Sequence, residues 1–200
     1  MTSRRPVRAL LLALLAGACL LGADFARPDA ASLKLGETTE AEIRQRFGEP
    51  SAQGTATVDG KAITIMRYGH AEPRSTAILF RAMAYTFHEG RLVGYDYTSS
   101  FQDDRTSFDE SAAPRIKRGE TRRAEVLALI GPPTGEFIYP SPHANRPDHR
   151  AYVYTMAQRT VAPASNTLET TSKVLAVVFD PGDVVFQTSL VIAVSTSPTK

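Results

Sequence analysis

An internal repeat constrains this fold more than any other feature of the sequence. Gly36-Glu37-Thr38 returns as Gly119-Glu120-Thr121, 83 residues later, and the register holds without a gap to Pro50 and Pro133. Seven of those fifteen positions are identical, including Ala41-Glu42 with Ala124-Glu125 and Gly48 with Gly131. Ile43 is matched by Val126 and Phe47 by Ile130. Farther on, Phe87-His88-Glu89-Gly90-Arg91-Leu92-Val93 is echoed by Phe179-Asp180-Pro181-Gly182-Asp183-Val184-Val185 at an offset of 92. The second copy has therefore gained residues, and the proline-rich loop 139–149 is the expected surface insertion. A chain that repeats one supersecondary unit is expected to build its core twice by the same means.

Each copy predicts a helix with defined ends. Thr39-x-x-Glu42 reads as a capping box. Ile43 and Phe47 share one face, as do Val126, Leu129 and Ile130. Gly48 and Gly131 suit a left-handed residue after the helix, and Pro50 and Pro132-Pro133 forbid continuation. Strands follow: Ile63-Thr64-Ile65 to Tyr68, residues 77–87, and Leu92-Val93 to Tyr95, then Tyr152-Val153-Tyr154, residues 174–179 and residues 184–194. Glu89-Gly90 and Pro181-Gly182 mark tight turns. The predicted fold class is α+β: two tandem modules, each one or two short helices packed on a three- to four-stranded antiparallel sheet. The modules span residues 33–98 and 115–194, joined by a polar segment 99–114 that docks through Phe101 and Phe108. Residues 195–200 form a tail. The helix covers one sheet face, so the other is a natural binding surface where it carries aromatics. Tyr95, Tyr97, Tyr139, Tyr152 and Tyr154 are the candidate partner-binding residues.

The N-terminus reads as an export signal. Arg4, Arg5 and Arg8 precede an uncharged run over residues 9–23. That run is short of the roughly 20 apolar residues of a permanent span. Residues 1–18 are the predicted signal peptide. The chain's one cysteine, Cys19, follows Leu15-Ala16-Gly17-Ala18, which resembles a lipobox. Cys19 is thus the candidate lipidation site, with residues 19–32 as a lipid-anchored linker. Ordinary cleavage after Ala18 fits the Ala-x-Ala pattern too and would give a soluble periplasmic protein.

Charge and motifs exclude several functions. Without residues 1–18 the chain keeps 20 of its 23 basic residues against 21 acidic ones, a net charge of −1. No basic excess points to nucleic acid. One cysteine excludes an internal disulfide and a cysteine-based zinc site. His143 and His149 share a loop with Asp148, but zinc sites favour shorter spacing on a rigid element. Asp103, Asp104, Asp109 and Glu110 lack the glycine and terminal glutamate of an EF-hand. No phosphate loop, nucleophile elbow or zinc-protease helix occurs. The expectation is no enzyme, no catalytic residue, no metal and no cofactor.

The repeated G-x-T…[IV]-x-x-x-[FI]-G-x-P unit, followed by strands and preceded by Cys19, resembles the SmpA/OmlA lipoprotein family. That family includes the small E subunit of the outer-membrane β-barrel assembly machine. The resemblance covers most of residues 33–97 and 115–194. It implies a helix-on-sheet module on a lipid anchor at Cys19, acting as a non-enzymatic accessory on the periplasmic face of the outer membrane. Its partners would be envelope proteins such as the β-barrel assembly machinery. Two copies stand here where the assembly subunit has one. The tandem arrangement also looks like secreted β-lactamase inhibitor proteins, which clamp an enzyme with a concave sheet. The alternative function is thus a periplasmic inhibitor or binder of a hydrolase, with loop 139–149 entering the target's cleft.

Overall fold

The computed structural model describes residues 24–162, 164–165 and 167–198. The predicted signal and Cys19 lie outside the described residues. Eight strands run in chain order: β1 (Ala52–Val58), β2 (Lys61–Pro73), β3 (Ile78–His88), β4 (Arg91–Ser99), β5 (Gly135–Ile138), β6 (Arg150–Ala162), β7 (Thr167–Phe179) and β8 (Val185–Pro198). Helix α1 (Glu40–Phe47) precedes β1, and α2 (Arg123–Ile130) precedes β5. Residues 195–198, expected as tail, continue β8.

The strands form one antiparallel sheet in the order β1 to β8. This overturns the expectation of two modules with helices on separate small sheets. The two sets of four strands are joined where Gly94–Asp96 of β4 pairs with Gly135–Phe137 of β5. The join depends on two glycines. A Cβ at Gly135 would strike the Tyr95 carbonyl and lie 2.9 Å from Asp96 Cα. A Cβ at Gly94 would fall on the Phe137 ring, 2.5 Å from Cε1 and 2.8 Å from Cγ. With hydrogen at both sites the strands approach closely, and the Phe137 ring lies over Gly94.

The repeat survives as duplicated local chemistry. Lys34 N donates to Thr38 Oγ1 at 3.0 Å, and Lys117 N to Thr121 Oγ1 at 2.8 Å. Gly36 N donates to Leu92 O, and Gly119 N to Val185 O. The capping box at Thr39–Glu42 is formed. Gly48 and Gly131 end the helices at φ 73° and 92° with ψ near 180°. This is not the expected left-handed helical geometry. It is a region open essentially to glycine alone, so the constraint is tighter than the sequence implied. One tyrosine then clasps each helix end: Tyr68 Oη donates to Gly48 O at 3.0 Å, and Tyr154 Oη to Gly131 O at 3.1 Å.

Alternation divides the sheet's side chains into two faces. On the outer face, Met66, Tyr68, Met83, Tyr85, Tyr95 and Tyr97 pack with Ile43 and Phe47 of α1. Tyr152, Tyr154, Leu175, Val177 and Phe179 likewise pack with Val126, Leu129 and Ile130 of α2. Phe108 joins the second cluster, and Phe101 stacks on His70. The inner face curls on itself. Ala71 of β2, Phe80 of β3 and Ala157 of β6 form one buried cluster, and Ala77 bridges to Thr160. The curl follows from the brevity of β5, which Pro132-Pro133 and Pro140 confine to four residues. Beyond its start, β4 meets β6 directly.

Candidate functional site

The inner face is the candidate site, and its centre lies where β4 and β6 meet. Threonine side chains replace the missing ladder there. Thr155 N donates to Thr134 Oγ1 at 2.9 Å, Thr98 Oγ1 donates to Thr155 Oγ1 at 2.9 Å, and Tyr97 N donates to Thr134 O at 3.1 Å. Asp96 sits in this network. The Thr134 hydroxyl is 3.2 Å from its carboxylate but 3.0 Å from Val153 O. The Thr155 hydroxyl is 3.5 Å from it but 2.9 Å from Tyr97 O. Each hydroxyl has one proton to give, and each has a nearer carbonyl to receive it. Burial accordingly pushes the Asp96 carboxyl up to about 7, against the pull of those two hydroxyls.

A cleft of about 80 Å³ opens beside Asp96, walled by Ala82, Ala84, Thr98, His143 and Ala157. That is about half of the ~150 Å³ that admits benzene, and well below the roughly 300–1,000 Å³ of small-molecule sites. The cleft fits a single protruding side chain. His143 closes one end, its ring 4.6 Å from that of Phe137, and burial lowers its pKa to about 4.

The loop 139–149 was expected as a free surface insertion, and its centre is instead part of the fold. Ala144 and Ser141 are fully buried, and Ala144 packs with Phe137, Ala151, Val153 and Ala176. Tyr139 Oη donates to Asp59 at 2.8 Å, which ties the loop to the β1–β2 turn. Only the tip, residues 145–148, is exposed. His143 and His149 do not converge: His149 meets Phe186 at 4.9 Å, edge to face. Among the described residues no group of three or more His, Cys, Asp or Glu side chains is placed to hold a metal.

Four of the five candidate tyrosines lie in the outer-face core rather than on a binding surface. Tyr95, Tyr97, Tyr152 and Tyr154 are buried, and Tyr139 is half-buried. The reason is the polar tip. A tyrosine ring fills the space under a helix while its hydroxyl reaches a partner: Tyr154 the helix end, Tyr97 the Asp104 carboxylate at 2.5 Å, and Tyr95 Glu136 at 3.3 Å.

Sequence reasoning passed over Asp96 and Arg81, although each is a charge inside an apolar strand. Arg81 faces outward from β3 and gathers three carboxylates: Asp24 at 2.6 Å, Asp103 at 2.9 Å and Asp104 at 2.8 Å. Burial opposes ionisation of Asp104. Hydrogen bonds from Ser99, Tyr97 and Arg81 outweigh it and hold the carboxyl below the ordinary aspartate value. The Arg81 cluster fastens the N-terminal segment to the sheet. Phe25 packs on Tyr97 with ring centroids 6.4 Å apart, and Arg27 donates to Pro133 O.

No protein-family model matches the chain, and no curated protein matches it. Among solved structures the chain is similar to a Streptococcus mutans protein provisionally named as a β-lactamase inhibitor protein. That match has 10% identity and a TM-score of 0.38, covering 80% of this chain and 91% of that one. A likeness at that level carries no argument about a target or partner.

Proposed function

We propose that the protein is a non-enzymatic binding module of the cell envelope whose inner sheet face receives a protruding segment of another protein. The observation that carries this reading is the shape and lining of that face. It is curled and opens into a cleft sized for one side chain, where Ala82, Ala84, Thr98 and Ala157 share the wall with Arg67, His143 and Val153. Export by residues 1–18 and acylation at Cys19 complete the proposal, in keeping with the SmpA/OmlA resemblance and an accessory role at the outer membrane. Cys19 and Asp24 are five residues apart, at most about 18 Å of chain. With Asp24 held by Arg81, an acylated protein would stand against the membrane surface.

Two experiments test this reading. Radiolabelled palmitate should enter the wild type and not Cys19→Ala. A photo-reactive residue at Ala84 should capture a discrete envelope protein in producing cells, and one at the exposed Leu127 on α2 should not. An added Ala82→Arg, at a half-buried position on the same cleft wall, should abolish the Ala84 product. Equal capture from both faces, or none from Ala84, would refute the inner-face assignment. A second reading, an inhibitor of a periplasmic hydrolase, draws on the exposed loop tip 145–148. It requires that the captured partner be a hydrolase that loses activity when bound.

A further inference from the structure

The last strand, β8, forms one edge of the sheet, and among the described residues its only strand neighbour is β7. It is long for an edge, 14 residues. Exposed edges are normally blunted by charge, proline or a bulge. Residues 184–199 contain no Asp, Glu, Lys or Arg, and their one proline, Pro198, stands at the end of the strand. The single register shift against β7 lies at its other end, at Val178/Phe179. Leu190, Ile192 and Val194 lie on one face at 40%, 53% and 61% exposure. They pair with Leu175, Lys173 and Thr171, so they continue the outer face beyond the cover of α2.

Residues 188–196 read Thr-Ser-Leu-Val-Ile-Ala-Val-Ser-Thr, a palindrome of side-chain type centred on Ile192. We propose that β8 pairs antiparallel with β8 of a second copy of this chain, about a twofold axis at Ile192, to give a continuous sixteen-stranded sheet. In that register Thr188 meets Thr196, Ser189 meets Ser195, Leu190 meets Val194, Val191 meets Ala193, and Ile192 meets itself. Apolar side chains oppose apolar ones and hydroxyls oppose hydroxyls on both faces, which is how cross-strand pairs stabilise a sheet. A twofold contact sets every residue against its own kind's surroundings, so a charge at the centre would meet its like. The absence of charge across the strand removes that obstacle. A slip of one residue would set the apolar face of one copy against the opposite face of the other. The proposal rests on neither the lipid anchor nor the inner face.

Disulfide trapping in the full chain carrying Cys19→Ala, where an introduced cysteine is the sole thiol, tests both the pairing and its register. Directly opposed residues have Cα atoms about 4.5–5.5 Å apart, within reach of a disulfide. Ile192→Cys should form a covalent dimer on mild oxidation. Leu190→Cys alone should not, because its twin lies four residues away along the strand, about 13 Å. A mixture of Leu190→Cys and Val194→Cys chains should form the heterodimer. Sedimentation of the Cys19→Ala protein should show a concentration-dependent doubling of mass. Ile192→Lys should abolish that doubling with its circular dichroism unchanged and its thermal midpoint equal to that of the dilute, monomeric Cys19→Ala protein. A monomer at every concentration would leave the edge to another partner or bare, and would overturn the proposal. So would equal trapping at all three positions, or an Ile192→Lys protein that still dimerises.

Discussion

Gly94→Ala tests whether the two sets of strands are held as one sheet by close backbone approach. The new Cβ would lie 2.5 Å from Phe137 Cε1 and 2.8 Å from Cγ. Ordinary carbon contacts are about 3.5–4.0 Å, so the ring must withdraw by roughly 1 Å or more. It has little room, because it is buried against Ala144, Ala151, Val153 and Ala176. Overpacking of this kind costs about 1–3 kcal/mol. For a domain of this size about 1 kcal/mol moves the midpoint by roughly 2–4 °C. A fall of about 2–12 °C is therefore expected in a thermal melt followed by circular dichroism. Shrinking the obstacle should relieve it: in a Phe137→Leu background the penalty of Gly94→Ala should drop by at least about 1 kcal/mol. Gly135→Ala should cost more and should not be rescued, since its Cβ would meet the Tyr95 and Asp96 backbone. Gly54→Ala, with open space at its Cβ, is the control and should be neutral or slightly stabilising. Additivity of Gly94→Ala with Phe137→Leu to within about 0.5 kcal/mol would refute the reasoning.

Other outcomes follow from the same structure. Tyr85 is fully buried and its hydroxyl has no partner among the described residues. Tyr85→Phe should therefore raise the midpoint, by up to about 1–3 kcal/mol in a denaturant titration. Asp96 keeps its proton to about pH 7 in the native state, against an ordinary value of 3.8. Native protein thus binds more protons than unfolded protein between those values, so this group makes stability fall as pH rises. Asp96→Asn should remove that slope in melts from pH 4 to 8. His143 has the opposite sign: its native value of about 4 lies below 6.5, so stability falls as pH drops through that window, and His143→Gln should remove the fall. Arg81→Met should cost about 1.5–3 kcal/mol, the worth of one charged hydrogen bond, because only Asp104 of its three partners is largely shielded from solvent. It should also expose the chain near Phe25 to proteolysis. Gly48→Val and Gly131→Val should each cost about 1–3 kcal/mol for an extended, positive-φ residue, read as lower unfolding midpoints.

Much of the local structure is written in short-range chemistry. The capping box, the prolines after each helix and the Glu89-Gly90 turn are decided within a few residues, so composition and spacing expose them. The β1–β2 hairpin, which the strand reading from Ile63 onward passed over, carries an equally short-range signal. Asp59-Gly60 is a two-residue turn with both φ values positive, and a hairpin favours such a pair. Asp96 and Arg81 were legible as anomalies, charges inside apolar strands, although nothing nearby in sequence named their partners.

The sequence by itself determined the repeat, the helix ends, the turns and the alternation along each strand. Tertiary structure alone decided that β4 and β5 pair, that the tyrosines turn toward the helices, and that loop 139–149 lies down on the inner face. The physical reason is distance along the chain. A period of two sorts side chains onto two faces without saying which face a helix will cover. Gly94 and Gly135 gain their meaning only once the strands carrying them are side by side.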